Sequence, residues 1–192
     1  MKVGVLALQG AFASHIATFA SLGVETLEVR TPHDLEIADR LVIPGGESTT
    51  ISMLLDSNGM RAPIEACIAQ GMPVFGTCAG MIVLAKEVLD GRDDQTPLGA
   101  IDITVRRNAF GRQLDSFESD IEVLGFEQPF PSIFIRAPIV ETAGTGVKVY
   151  AKVDGKIVLC GTESVLVTSF HPELSKDGRI HEMFLSMEPA DS

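Results

Sequence analysis

Cys78 stands in the stretch Pro73-Val74-Phe75-Gly76-Thr77-Cys78-Ala79-Gly80, where an apolar run ends and helix-forming residues begin. The spacing Gly-x-Cys-x-Gly has the form of a nucleophile elbow, with cysteine in place of the serine of α/β hydrolases. Small residues on both flanks let the backbone bend and leave room for a substrate. A sulfur at the start of a helix meets the positive end of the helix dipole and free backbone N–H groups. Both favour the thiolate, which is the attacking species. An inert buried thiol is the competing explanation for any free cysteine. It suits Cys67, on the apolar face of a helix, and Cys160, inside a strand, but not a cysteine bracketed by glycines.

A second constellation is Ser169-Phe170-His171-Pro172-Glu173. If this segment is extended, residues two apart point the same way, so His171 and Glu173 share a face. An imidazole can then move protons while the carboxylate fixes its tautomer and stabilises the imidazolium. An isolated His-x-Glu is often a solvated loop; an apolar strand feeding into it and a cysteine elbow upstream give it more weight. The third is Pro44-Gly45-Gly46-Glu47-Ser48-Thr49, two glycines between a strand and a helix, whose exposed backbone donors suit an oxyanion hole or an anion nest. Taken alone it is an ordinary βα turn. A Walker-type phosphate loop is excluded because no Gly-Lys-Ser/Thr follows.

These groups need a scaffold, and the first half of the chain supplies alternating elements. Strands are predicted at Val3–Leu8, Thr26–Val29, Arg40–Pro44 and Met72–Phe75, and helices at Ala11–Leu22, Ser48–Leu55, Arg61–Gln70 and Ala79–Leu89. Such alternation implies a mostly parallel sheet covered on both faces, a three-layer α/β fold. After about Gly99 the pattern favours strands: Ile101–Arg106, Ile121–Phe126, Ile133–Ile139, Val147–Val153, Lys156–Cys160 and Val165–Phe170, with Asp154-Gly155 as a hairpin turn and Arg179–Met187 as a closing helix. These form an added antiparallel portion. With no linker, repeat or low-complexity segment, residues 1–192 read as one domain.

The net charge of −11 sets the surface against phosphate backbones and anionic lipids, so nucleic acid and membrane are not expected partners. Three cysteines without a CxxC argue for a reducing, cytoplasmic setting rather than a disulfide framework. Lys2 followed by Val3–Leu8 loosely mimics a signal peptide, but that apolar run is too short for one and is better read as a buried strand. Of the remaining histidines, His15 is read as surface or interface, His33 as lying in a loop after Pro32, and His181 as lying on the last helix. None has metal-ligand spacing with another, so no metal is expected.

Together the Pro-Gly-Gly turn, the cysteine elbow and the late His-Pro-Glu resemble the class I (triad) glutamine amidotransferases, flavodoxin-like in architecture. The similarity narrows further. Gly10, the PGGESTT run Pro44–Thr50, FGTCAG at Phe75–Gly80, Arg107-Asn108 with Phe110-Gly111-Arg112-Gln113, Asp115-Ser116-Phe117, FIRAP at Phe134–Pro138 and SFHPEL at Ser169–Leu174 resemble the glutaminase subunits of pyridoxal 5'-phosphate synthase, the PdxT/SNO family. The strings are collinear over nearly the whole chain; Asp90–Thr96 is slightly long for the family's pattern, a surface-loop difference.

The resemblance implies a reaction. Cys78 attacks the side-chain amide carbon of L-glutamine, His171 handles protons and Glu173 orients His171. The Ala79 N–H and one from Gly45-Gly46 hold the oxyanion. Gly46, Glu47, Ser48, Arg107, Ile135 and Arg136 bind glutamine, and no cofactor is required. The implied partner is a TIM-barrel synthase subunit in a hetero-oligomer, which takes the ammonia to make pyridoxal 5'-phosphate. Gln9 and Gly10 are interface and gating candidates, although a plain strand-to-helix turn explains Gly10 equally well. The alternatives are a glutaminase serving another synthase, such as imidazole glycerol phosphate synthase, a peptidase on the same sheet, or a non-catalytic regulatory module. The subgroup-specific strings argue against the first, and the presence of Cys78, His171 and Glu173 argues against the last.

Overall fold

The computed structural model describes residues 1–92, 95–107 and 116–190. Asn108, Phe110–Gln113 and Asp115 of the sequence strings, and Asp93-Asp94 of the surface loop, lie outside the described residues.

The elements run β1 (Lys2–Leu6), α1 (Phe12–Ser21), β2 (Glu25–Val29), α2 (Pro32–Ile37), β3 (Arg40–Ile43), α3 (Ser48–Ser57), α4 (Arg61–Ala69), β4 (Val74–Thr77), α5 (Ala79–Leu84), β5 (Ala85–Val88), β6 (Ile101–Arg106), β7 (Ser116–Ile121), β8 (Phe130–Ile135), β9 (Ile139–Ala143), β10 (Lys148–Val153), β11 (Lys156–Gly161), β12 (Val165–Thr168), a 3-10 turn (Pro172–Leu174) and α6 (Arg179–Leu185). The main sheet has the order β2-β1-β3-β4-β12-β11-β9-β6-β5, with β10 on β11. From β2 to β12 the neighbours are parallel, and from β12 to β6 they are antiparallel. This is the mostly parallel sheet with an added antiparallel portion that the sequence implies.

Alternation along the central strands splits the core in two. Leu41, Ile43, Val74, Val165 and Val167 face a layer that includes Ile51, Leu55, Ile64 and Ile82 from the helices α3, α4 and α5. Val3, Val5, Val42, Phe75 and Leu166 face the other layer, with Phe19, Ile180 and Phe184 from α1 and α6 and Phe130 and Phe134 from β8. Burial on both faces explains why these strands read as continuous apolar runs. β4 and β12 lie side by side at the centre, so Thr77 pairs with Thr168 and the segments that follow both strands emerge at the same sheet edge.

Several elements differ from the sequence expectation. His33 sits in α2, not a loop; Thr31 caps that helix in a capping box with Asp34, and Pro32 occupies its first turn. The helix after Cys78 ends at Leu84, because Ala85–Val88 peels away and pairs in parallel with β6. Ser116–Ile121 rather than Ile121–Phe126 forms the strand that pairs with β8, and Ile121–Phe126 leads into a bend at Gly125. The run Ile133–Ile139 is broken at Arg136, whose φ is 43°, so that its halves join two different sheets. The Asp154-Gly155 turn does join β10 to β11, with both residues at positive φ as a primed hairpin turn requires.

Candidate active site

β4 ends at Thr77, Cys78 takes φ 50° and ψ −104°, and α5 starts at Ala79. A non-glycine residue held there carries about 1–3 kcal/mol of strain, which the surroundings must sustain. The Cys78 N–H donates to the Thr168 carbonyl at 2.8 Å, and that bond ties the bend to β12. The flanking glycines serve packing rather than bending, since neither has a positive φ. A Cβ on Gly80 would run into the Ile43 carbonyl, and one on Gly76 would meet the Gly80 backbone at 2.7 Å. The Cys78 side chain is mostly buried and its Sγ lies 3.8 Å from the Ile135 carbonyl oxygen. Burial pushes the Cys160 thiol up to about 12 and raises that of Cys67, which leaves both protonated and inert.

His171 follows β12 and is anchored by its N–H to the Ile133 carbonyl at 2.8 Å. Its Nδ1 is 2.7 Å from Oε1 of Glu173, which lies in the 3-10 turn, so the two groups meet across a tight turn and not along an extended face. Burial alone would lower the His171 pKa. Hydrogen bonds to Cys78 and Glu173 and the charges of both outweigh burial and raise it to about 10. Burial likewise disfavours the Glu173 carboxylate, yet the neighbouring His15 and His171 hold its pKa below the usual range. The His171 ring also lies over Gly45, where any Cβ would overlap it.

The Pro-Gly-Gly turn completes the group. The Gly45 N–H donates to Thr77 Oγ1 at 3.0 Å, and the Gly45 carbonyl accepts from the Ala11 N–H at 3.0 Å. The Gly46 N–H has no partner among the described residues. Gln9 reaches over this turn, its Oε1 accepting from the Glu47 N–H at 3.1 Å. Gly10 has φ 98°, and a Cβ there would strike the Gly45 carbonyl, so both its conformation and its space demand glycine. Glu47 caps α3 by accepting from Thr49 and Thr50. Partial burial opposes its charge, but those bonds bring its pKa to about 2. Arg107 Nη2 contacts Glu47 Oε1 at 3.3 Å. The Ser48 hydroxyl is buried without a partner, and Arg136, exposed at the cavity's edge, has no ion pair or side-chain hydrogen bond among the described residues.

Of the candidate site residues, all except Glu173 line one cavity of about 370 Å³, whose lining is Gln9, Gly10, Ala11, Gly45, Gly46, Glu47, Ser48, Cys78, Ala79, Ile82, Arg107, Ile135, Arg136 and His171. It thus joins a sulfur, an imidazole, unpaired backbone and hydroxyl donors and two guanidinium groups. That combination can attack a carbonyl carbon, hold the oxyanion and anchor a carboxylate. The sequence reading missed His15 and His181. Both are fully buried, and His15, expected at the surface or an interface, lies behind Glu173.

Sheet order and elbow define the fold of the class I glutamine amidotransferases. A solved structure described as a glutamine amidotransferase matches with a TM-score of 0.91 at 46% identity, covering 96% of this chain and 97% of that one. PurLQS from Thermotoga maritima, at 14% identity and a TM-score of 0.65 over 96% of this chain and 97% of that one, shares the fold alone. Residues 5–188 match the SNO glutamine amidotransferase family, and the chain belongs to that family. Proteins named pyridoxal 5'-phosphate synthase subunit PdxT from Dehalococcoides mccartyi (strain CBDB1) and Herpetosiphon aurantiacus are each 53% identical to it, over 97% of this chain and 97% and 100% of theirs.

Proposed function

We propose that the chain is the glutaminase subunit of a pyridoxal 5'-phosphate synthase, residues 1–192 acting as one domain. The observation that carries this is the single cavity in which Cys78, His171 and the Gly45–Ser48 turn converge, in a chain about half identical to proteins of that name. Cys78 thiolate attacks the amide carbon of L-glutamine. The Gly46 and Ala79 N–H groups hold the oxyanion, because the Gly45 N–H is already given to Thr77; each donor is worth about 3 kcal/mol. His171 gives its proton to the departing ammonia, then takes one from the water that cleaves the thioester, and glutamate leaves. Glu173 orients His171. Arg136 and Arg107 receive the substrate α-carboxylate, Ser48 and Glu47 its polar groups, and Ile135 packs beside it.

Ammonia released to neutral water becomes ammonium, which is no nucleophile, so a sealed transfer to a second active site is the chemical rationale for a subunit. The recipient is a TIM-barrel synthase subunit, docked where Gln9 and Gly10 border the cavity, and the setting is the cytoplasm. Among the described residues no helix is long and apolar enough to cross a membrane. The test is glutamate release by the purified chain with and without the synthase subunit, with iodoacetamide-alkylated protein as control. Release that rises on adding the synthase and vanishes on alkylation supports the reading; no release from glutamine in either condition overturns it.

A further inference from the structure

Behind the cavity, and outside it, two histidines from opposite ends of the chain meet. His15 of α1 and His181 of α6 are fully buried, with His15 Nδ1 3.0 Å from His181 Nε2. The other nitrogen of His15 lies 3.1 Å from Thr77 Oγ1 and 3.5 Å from Glu173 Oε2. Glu173 Oε2 is buried and otherwise unpartnered, as is His181 Nδ1. Phe19 and Phe75 pack edge-on against His181, so the pair sits in an apolar shell where an unpaired donor or charge is costly. The titratable groups facing the pair are Glu173 and, beyond it, His171.

Two tautomers of His15 are possible, and the surroundings choose between them. With the proton on Nδ1, His15 would donate to His181 and present a lone pair to the Glu173 carboxylate. Oε2 would then lack any donor, and the His181 Nδ1–H would be orphaned. With the proton on Nε2, His181 Nε2–H donates to His15 Nδ1, and His15 Nε2–H points at Thr77 and Glu173. His181 Nδ1 is then left bare and the Thr77 hydroxyl proton loses His15 as its acceptor, but the Glu173 carboxylate no longer faces a lone pair, and a charged group left unmet costs more than a neutral one. Both rings remain neutral, since burial lowers the pKa of each.

We propose that His15, its tautomer set by His181, is a positioning residue for the site: its Nε2–H steadies Oε2 of Glu173 so that Oε1 stays on His171. The same ring contacts Thr77, whose oxygen accepts the Gly45 N–H. One buried imidazole thereby registers the proton-transfer arm against the Pro-Gly-Gly turn. Neither His touches the cavity, and the inference deepens the glutaminase reading by adding a supporting pair beneath its orienting carboxylate.

The test uses the whole chain with His15→Phe, which removes the donor at similar volume, and His15→Gln, which retains one. Two readouts are independent of glutamine hydrolysis: long-range ¹H–¹⁵N spectra of the histidines, and the pH profile of Cys78 alkylation by iodoacetamide, resolved by mass spectrometry. In the wild type, His15 is expected as the Nε2–H tautomer from pH 6 to 9; the Nδ1–H tautomer overturns the proposal even if no variant folds. His15→Phe should displace the alkylation profile and cut kcat for glutamate release at least 10-fold with KM within about 2-fold, and His15→Gln should recover most of both. A lowered melting temperature with an unmoved alkylation profile would mean a merely structural role and would overturn it. Loss of the glutaminase reading itself would show as absent glutamate release by the wild type, with the spectra and alkylation profile still able to decide the positioning role.

Discussion

His171 Nδ1 lies 2.7 Å from Glu173 Oε1 although the residue between them opens a 3-10 turn. The turn gives the carboxylate little freedom, since Pro172 fixes its own φ and the Leu174 N–H closes onto the His171 carbonyl at 3.2 Å. Imidazole and carboxylate therefore move as one unit, and the unit is hung from β8 through the His171 N–H. What remains adjustable is the distance from that unit to the sulfur.

Because Cys78 supplies the attacking atom in the proposed reaction, Cys78→Ala should lower glutamate release by roughly 10⁴-fold or more while the fold survives. Alanine removes the sulfur and relaxes little else at a mostly buried position. The check is glutamate release beside a thermal melt. Turnover near that of the wild type would remove the assignment of the nucleophile.

The His171 pKa of about 10 rests on both Cys78 and Glu173. Its ordinary value is about 6.5, so the folded chain holds this proton where the unfolded chain has lost it. The resulting stabilisation is complete below about pH 6.5 and disappears as the pH rises through about 10. Cys78→Ser removes the thiolate partner and should bring the His171 titration down toward neutrality, as followed by the His171 ring resonances. A titration that stays put in the serine variant would show that Glu173 alone holds the proton.

How far the sequence disclosed this site depends on the kind of signal. The elbow was legible because Gly-x-Cys-x-Gly follows an apolar strand, and the Pro-Gly-Gly turn because two glycines join strand to helix. The end of α5 was not, because nothing local marks Ala85: its departure into β5 comes from pairing with β6, a long-range gain that overrides helical periodicity. Lys86 and Glu87 then settle on Asp102 and Thr104, contacts that no local pattern announces. His15 did leave a trace. It lies four residues before Phe19 and three after Phe12, inside the apolar stripe of α1, but a histidine on such a stripe reads as polar until its buried partners are known.

Gly80 is required by space, since its Cα faces the Ile43 carbonyl so closely that a methyl group would overlap it. Gly80→Ala should push α5 away from β3, lowering stability by about 2–3 kcal/mol and tilting the helix start that carries the Ala79 N–H. Denaturant unfolding would measure the first effect and kcat the second. Wild-type values for both would contradict the packing.

Arg136 adopts φ 43° at the cavity's edge, is exposed, and its guanidinium has no partner among the described residues. If it receives the α-carboxylate, Arg136→Lys keeps the charge but loses the two-pronged geometry. KM for glutamine should then rise about 10-fold or more, with kcat changed less. Substrates lacking the α-carboxylate should barely distinguish variant from wild type. A variant that lowers kcat alone would place Arg136 nearer the reacting atoms than the anchoring role allows.

Burial lowers the pKa of His181 to about 3, far below the roughly 6.5 of an imidazole in the unfolded chain. Between those values the unfolded chain binds a proton that the folded one refuses, so stability must fall as the pH drops from about 6.5 toward 3. One such group contributes up to about 1.4 kcal/mol for each pH unit within that window. His181→Phe removes the group from the balance, and denaturant unfolding at pH 7, 5.5 and 4 should give a shallower acid decline than in the wild type. The variant also deprives His15 Nδ1 of its donor, which shifts its stability by an offset at every pH, so the comparison rests on slope and not on height. The paired carboxylate of Glu173 adds to the acid decline in both proteins and cancels from the difference. Parallel declines would mean that His181 opens to water and takes its proton before the chain unfolds, contrary to its fully buried place between Phe19 and Phe75.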